Sequence, residues 1–133
     1  MVFYFCLVIV AVGFFIFLQR LMAPGIDFSP YRDDISVVES RMNFQTNDAG
    51  PWVNVVVVLT NKSNIAWKDM QMDLRFYNTS GTLIDATEHW GRGVIYPKGE
   101  MALRIKDQPS HGLAEYDSYK IFVRSARDAR AHF

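Results

Sequence analysis

The sequence predicts an all-β fold, an antiparallel immunoglobulin-like sandwich of about seven strands, preceded by one N-terminal transmembrane helix. Three observations predict it: an apolar run without charges opens the chain, apolar and polar residues alternate in the remainder, and turn-forming residues separate the alternating segments. The predicted units are a transmembrane helix at 1–23, a linker at 24–34, a β-sandwich domain at 35–126 and a basic C-terminal tail at 127–133. A chain of 133 residues has room for one such domain.

The N-terminal run from Met1 to Leu18 contains no charged side chain and no side-chain amide. As an α-helix it is about 27 Å long, close to the hydrocarbon thickness of a bilayer. A cleaved signal peptide is one alternative, but no basic residue precedes the run. A buried core helix is another, but the run has no polar face. We therefore expect a retained single-pass membrane anchor.

Three residues of this segment are candidates for contacts in or near the membrane. Cys6 and Gly13 are small, lie seven residues apart on one helix face, and would let another helix approach closely. The alternative is that both face lipid. Arg20 follows the apolar run, and by the positive-inside tendency it favours a cytoplasmic C-terminal domain.

The remainder of the chain shows the two-residue period of β-strands. Within Trp67 to Tyr77, one face holds Met70, Met72, Leu74 and Phe76 and the other holds Asp69, Gln71, Asp73 and Arg75. This alternation indicates a strand with one solvated face. Pro24 to Asp34 contains two prolines and a glycine and predicts a short extended linker. The predicted strands are Ile35 to Phe44, Val53 to Leu59, Trp67 to Tyr77, Thr82 to Trp90, Gly93 to Tyr96, Glu100 to Lys106 and Ser118 to Arg124.

Composition and motifs indicate no catalytic chemistry. Basic and acidic residues number 14 each, so no global charge attracts nucleic acid. The single cysteine lies in the apolar run, and His89, His111 and His132 are more than twenty residues apart, which is not metal-ligand spacing. We expect no catalytic, cofactor-binding or metal-binding residue, no cofactor, no small-molecule substrate and no nucleic-acid partner. His89 is interpreted as an edge-strand residue.

A partner surface is predicted from exposed aromatic and basic residues. The chain has more tryptophan and tyrosine than one small core readily hides, and its C-terminal segment is basic. The candidates are Trp52, Trp67, Trp90, Arg92, Tyr96, Arg124, Arg127 and Arg130. The alternatives are that the aromatic residues close the ends of the sandwich, that the glycines around Arg92 form a bulge, and that the tail is a solvated terminus.

The middle of the chain resembles a known family. The segments Val58-Leu-Thr-Asn61-Lys-Ser63, Met70-Gln-Met-Asp-Leu-Arg-Phe76-Tyr77-Asn78 and Tyr96-Pro-Lys-Gly99-Glu100 resemble, in this order, the FxLYD domains of bacteria and archaea. The resemblance extends from Trp52 to Ser125. It implies a small β-sandwich, on a membrane anchor or secreted, without a defined activity. It also favours a periplasmic or extracytoplasmic domain, in contrast to Arg20.

Two functions agree with these features. The first is a non-catalytic accessory or structural subunit, whose helix packs on a larger integral-membrane complex, for example a respiratory or photosynthetic one, and whose sandwich braces that complex at the bilayer surface. The second is a stand-alone membrane-tethered module that binds a cell-envelope protein or ligand. An enzyme is the least favoured class.

Overall fold

The N-terminal segment of the chain forms a helix. The computed structural model describes residues 2–21 and 24–130, and within the helix it describes the side chains of residues 10–19. Helix α1 spans Val2–Leu21, and its bulky apolar side chains from Val10 to Phe17 are exposed. Among residues whose side chains are described, no helix is both long and apolar enough to cross a membrane. The side chains of Cys6 and Arg20 lie outside the described residues.

Two antiparallel sheets follow the helix, and they confirm the predicted β-sandwich. The strands of residues 24–130 are β1 (Ile35–Asn47), β2 (Gly50–Asn61), β3 (Trp67–Tyr77), β4 (Leu83–Ile95), β5 (Glu100–Asp107) and β6 (Ser118–Asp128). They are arranged as sheet I with the order β1-β2-β5 and sheet II with the order β4-β3-β6. Two short 3-10 helices, Ser29–Asp34 and Leu113–Glu115, precede β1 and β6.

The structure corrects the predicted strand count. The sequence predicts separate strands at Thr82 to Trp90 and Gly93 to Tyr96, because two glycines lie around their junction, but these residues contribute to one strand, β4. The pairing of β3 with β4 shifts register between Lys68 and Met70, and Gly93 has a φ of +124°. The glycines therefore accommodate an irregularity within the strand and do not end it.

The core lies between the inward faces of β2 and β3. The even-numbered apolar residues of β3 are buried, which confirms the predicted two-residue period. Each fully buried aliphatic or aromatic side chain contributes about 1.5–3 kcal/mol to folding. The facing residues are Val53, Val55, Val57 and Leu59 of β2 and Met70, Met72, Leu74 and Phe76 of β3.

The six strands run between two ends of the sandwich. At one end β1, β3 and β5 begin and β2, β4 and β6 finish. We call this the tether end, because the segment that follows α1 enters the domain there. The opposite end, which holds the β1–β2 and β3–β4 turns and the β5–β6 connection, is called the far end.

A buried asparagine joins the two sheets at the tether end. Asn61, the last residue of β2, has no solvent exposure. Its Nδ2 donates to the carbonyl oxygens of Ile65 at 2.7 Å, Ile95 at 3.3 Å and Tyr96 at 3.1 Å. Its Oδ1 accepts from the backbone N–H and the hydroxyl of Ser63, at 3.0 and 2.7 Å. One side chain thus satisfies backbone groups of the β2–β3 loop and of the end of β4.

Asn61→Ala should destabilise the sandwich, because it leaves several buried carbonyl and N–H groups without partners. At about 1–3 kcal/mol for each unsatisfied group, we expect the free energy of unfolding to fall by about 2–4 kcal/mol. Urea denaturation of the detergent-solubilised full-length protein, followed by tryptophan fluorescence, measures this difference.

Asn78→Ala is the matched control for this experiment. The Asn78 Oδ1 accepts from the backbone N–H and the hydroxyl of Ser80, at 3.1 and 2.7 Å, in the same asparagine-x-serine arrangement at a solvated turn. Water replaces those bonds, so we expect a loss below about 1 kcal/mol. Equal losses for Asn61→Ala and Asn78→Ala would contradict the role of Asn61.

Candidate functional site

The predicted linker packs on the sandwich instead of extending from it. Phe28 is buried, and its ring meets the Trp67 ring edge-on, with centroids 5.0 Å apart. Tyr31, in the first 3-10 helix, has its ring centroid 5.5 Å from that of Trp67. The prediction of an extended linker at 24–34 is therefore wrong, because the aromatic residues of this segment pack on an apolar surface at the tether end.

Trp67 is the centre of this contact and not a partner surface. Its side chain is fully buried, and its Nε1 donates to the hydroxyl of Ser63 at 3.2 Å. The prediction of Trp67 as a partner residue is wrong, and the alternative, that it closes one end of the sandwich, is correct. A two-residue period assigns a side chain to a face but does not reveal what covers the end of that face.

Asp128, the last residue of β6, holds the start of the tether. Its buried carboxylate accepts from the backbone N–H of Ile26 at 3.2 Å and from the N–H and Nε of Arg130, both at 3.0 Å. The hydrogen bond from the Arg130 side chain, the largest influence, holds the pKa of Asp128 well below its usual range although burial opposes this. We call Ile26, Phe28, Tyr31, Trp67 and Asp128 the tether clamp.

The C-terminal arginines are engaged within the domain. β6 continues to Asp128, two residues into the predicted basic tail at 127–133. Arg124 pairs with Asp73, and the Nε of Arg127 donates to Asp69 Oδ2 at 3.1 Å. Because Arg124 and Arg127 lie on a strand and Arg130 bonds to Asp128, these side chains are part of the sandwich surface and not of a free tail.

The outer face of sheet II carries net positive charge. After the register shift in β3, the side chains of Asp69, Gln71, Asp73 and Arg75 point outward, and their register partners on β4 and β6 share that face. Before the shift the order is reversed, so that Trp67 is buried and Lys68 points outward. Arg124 and Arg127 belong to this face through their pairs with Asp73 and Asp69, and Arg92 lines a recess together with Asp69 and Arg127. Six basic and three acidic described side chains lie there, which gives a net charge of +3 in a chain whose total is zero. We call this surface the basic face; its charged residues are Lys68, Arg75, Arg92, Lys120, Arg124 and Arg127, with Asp69, Asp73 and Glu88.

A recess opens in the basic face, towards the tether end. Its volume is about 450 Å³, and it is lined by Asp69, Trp90, Gly91, Arg92 and Arg127. Trp90 is 58% exposed, and among the described residues Arg92 has no hydrogen-bond or ion-pair partner. We call it the Trp90 recess. It brings together three of the predicted partner residues: Trp90, Arg92 and Arg127.

Three other predicted contact residues lie elsewhere. Trp52 is near the far end, where the Lys106 ammonium lies 4.2 Å from its ring centroid and its Nε1 donates to Asn47 Oδ1 at 3.2 Å. Tyr96 is 68% exposed and follows β4 at the tether end. A Cβ added to Gly13 would meet no described atom within 4 Å apart from its own helix. These residues do not form one site with the Trp90 recess.

Sequence reasoning missed the tether clamp and a contact at the far end. There the Tyr116 hydroxyl donates to Asp85 Oδ2 at 2.6 Å, and the Ser110 N–H donates to the same oxygen at 3.2 Å. Burial raises the pKa of Asp85, but the bonds from Tyr116 and Ser110 outweigh it, so the pKa is lower than usual. The available signal for the clamp was the presence of Phe28 and Tyr31 in an otherwise polar segment.

The two histidines that the structure describes, His89 and His111, do not lie in one site. His89 lies on β4, an edge strand of sheet II as expected, and its partial burial lowers its pKa. His111 lies in the β5–β6 connection, and His132 lies outside the described residues. Within the described residues, no group of three or more His, Cys, Asp or Glu side chains could hold a metal ion.

The fold defines a small antiparallel β-sandwich protein, and three solved structures are similar to it. A DUF1425 family member from Shewanella sp. pv-4 is 16% identical, with a TM-score of 0.42 over 69% of this chain and 76% of that chain. Campylobacter jejuni cj0090 is 15% identical, with a TM-score of 0.41 over 67% of this chain and 84% of that chain. The Salmonella enterica trimeric lipoprotein SadB is 13% identical, with a TM-score of 0.46 over 92% of this chain and 70% of that chain.

No family model matches the chain, and no curated protein matches it significantly. The resemblance to FxLYD domains therefore stays a prediction.

Phe28→Ala should release the tether while the sandwich stays folded, because the ring covers Trp67 without joining the two sheets. We expect trypsin to cleave after Arg32 at least about tenfold faster, which corresponds to a loss of about 1.4 kcal/mol or more in the free energy of local opening. Tyr96→Ala removes an exposed aromatic ring at the same end and should leave the cleavage rate unchanged. Equal cleavage of wild type and Phe28→Ala would disprove the clamp.

Asp128 should stabilise the folded protein only while it is ionised. Its pKa is lowered on folding, so its contribution is fully present above the unfolded pKa of about 3.9 and is lost as the pH falls through the lower folded value. We expect Asp128→Asn to lower the free energy of unfolding at neutral pH, and the difference from wild type to shrink below about pH 4. Urea denaturation over a pH series measures this; a difference that does not change with pH would argue against it.

Proposed function

We propose that the protein is a non-catalytic, single-pass membrane protein, an accessory or structural subunit whose sandwich is held against a larger integral-membrane complex. The observation that carries this proposal is the tether clamp, in which Phe28 and Ile26 are fixed to the sandwich. A module that searches for distant ligands benefits from a flexible linker, whereas a subunit that braces a complex benefits from a fixed position.

The clamp limits how far the sandwich lies from α1. The helix ends at Leu21, and the first clamped residue is Ile26, five residues further on. An extended chain gains at most about 3.6 Å per residue, so the connection spans at most about 18 Å. This length supports a domain that stays next to the surface of the membrane.

The sequence and the exposed surface of α1 support a membrane anchor. Met1 to Leu18 carries no charge, and the side chains of Val10, Phe14 and Phe15 are 70%, 61% and 61% exposed. Apolar surface of this extent is unfavourable in water and is stabilised by lipid or by another helix. Cys6 and Gly13 remain the proposed face for a partner helix.

The two carboxylates with lowered pKa values support a non-catalytic role. The lowered pKa of Asp128 and the lowered pKa of Asp85 both arise from hydrogen bonds that hold segments of the fold together. Their partners are Arg130 with Ile26, and Tyr116 with Ser110. These carboxylates serve as structural acceptors.

A second candidate is a stand-alone membrane-tethered module that binds a cell-envelope protein or ligand. The observation in its favour is the Trp90 recess, which combines an exposed indole with the guanidinium of Arg92. The resemblance to FxLYD domains favours the same class and an extracytoplasmic domain, whereas Arg20 favours a cytoplasmic one. Both orientations are compatible with the accessory subunit.

Affinity purification of the full-length protein from native membranes tests the proposal. We expect a large complex in which integral-membrane proteins co-purify in a fixed ratio. Replacing residues 1–18 with an unrelated apolar anchor should abolish this association while the protein stays in the membrane, and Gly13→Leu should weaken it by obstructing close helix packing. A free monomer would contradict the proposal. Full retention of the partners by the anchor-exchanged protein would favour the binding module instead.

A further inference from the structure

We propose that the basic face rests on an anionic phospholipid surface and that the Trp90 recess receives one headgroup phosphate. This inference rests on the membrane anchor of the proposed function. The ligand is a phosphate diester with one negative charge, which the Arg92 guanidinium recognises by charge-assisted hydrogen bonds. The Trp90 ring lines the same recess as Arg92. In the proposed contact it lies at the headgroup level of the bilayer, where tryptophan is commonly found.

The charges that line the recess leave one cation available. Asp69 is the acid in this lining, and its carboxylate is paired with Arg127 through the 3.1 Å bond from Nε. Arg92 has no partner of this kind among the described residues. The recess therefore presents one uncompensated positive charge to a ligand that carries one negative charge.

The tether brings this face to the bilayer. Ile26 bonds to Asp128 at the end of β6, and β6 is an edge strand of sheet II, so the chain enters the domain beside the basic face. A second recess, lined by residues 25–29, Arg32 and residues 124–128, joins the tether to this face and adds another arginine. A connection of at most about 18 Å between α1 and Ile26 then favours this side of the sandwich over sheet I.

The distribution of acidic residues favours the same orientation. At the far end, Asp48 lies in the β1–β2 turn, Asp107 ends β5, and Glu115 and Asp117 lie in the β5–β6 connection. The tether end carries both signs, with Asp27, Asp33, Asp34 and Glu100 beside Arg32, Lys62 and Lys98. An anionic surface attracts the basic face and repels the far end, so both forces turn the domain in one direction. The contact between a basic face and an anionic surface weakens as salt is added.

Full-length protein in nanodiscs tests the proposal. One set of discs contains phosphatidylcholine and another contains equal parts of phosphatidylcholine and phosphatidylglycerol, each with brominated acyl chains that quench nearby tryptophan. Trp67 is buried and Trp52 lies near the far end, so the quenching that remains in Trp90→Phe is the background from these two residues. The difference between the wild type and this variant is the quenching of Trp90. We expect Trp90 to be quenched more strongly in the anionic discs than in the neutral ones, and we expect this difference to disappear at high salt.

Arg92→Gln identifies the cation that makes the contact. In the anionic discs it should lower the ratio of molecules whose sandwich contacts the bilayer to molecules whose sandwich does not by about fivefold. This is the effect expected for one basic residue at an anionic surface. Arg104→Gln is the matched control, because Arg104 is exposed on the outer face of sheet I, where it pairs in register with Val56. This variant should behave like the wild type.

Four results would overturn the inference. The first is equal quenching of Trp90 in neutral and anionic discs. The second is an equal effect of Arg92→Gln and Arg104→Gln. The third is an Arg92-dependent change in Trp90 fluorescence when inorganic phosphate is added to protein in neutral detergent, which would identify a free anion as the ligand. The fourth is cross-linking of position 92 in native membranes to an acidic protein and not to lipid.

The same experiment separates this inference from the proposed function. A protein that fails to enter either kind of nanodisc contradicts both the membrane anchor and the lipid contact. A protein that enters the discs but keeps Trp90 away from the quencher overturns the lipid contact alone.

Discussion

The buried Asn61 side chain is the constraint on which the tether end depends. Its amide holds the end of β4, in sheet II, against the end of β2, in sheet I, and its oxygen fixes Ser63. The Ser63 hydroxyl in turn accepts from the Trp67 indole, whose ring provides the surface for Phe28. A chain of short contacts therefore runs from the joint between the sheets to the segment that follows α1, so a disturbance at Asn61 should also reach the tether.

The functional proposals follow from where this chain of contacts places the charged surfaces. Ile26 is held by Asp128 at the edge of sheet II, and the basic face begins beside that point. The far end carries Asp48, Glu115 and Asp117 in its turn and connection. The charge of the domain is therefore unevenly distributed, and the proposed contact with an anionic membrane and the proposed accessory role both depend on this distribution.

Much of the sandwich was readable from the sequence because its determinants are local. The alternation of Met70, Met72 and Leu74 with polar residues identified the inward face of β3, and the turn residues located most strand ends. The continuity of β4 was missed because glycine signals a break and a bulge alike. The burial of Trp67 and the clamp by Asp128 were missed because each depends on partners distant in the sequence, which periodicity does not report.

The central claim, that the sandwich is fixed to its tether, is tested most directly by native-state hydrogen exchange on the full-length protein. The backbone N–H of Ile26 donates to Asp128, and that of Tyr31 donates to Phe28 at 2.8 Å. We predict that both amides exchange at least about a hundredfold more slowly than in an unstructured peptide, equivalent to about 2.7 kcal/mol of opening free energy. Exchange of both at the unstructured rate, with β3 still protected, would show that the domain is loosely attached.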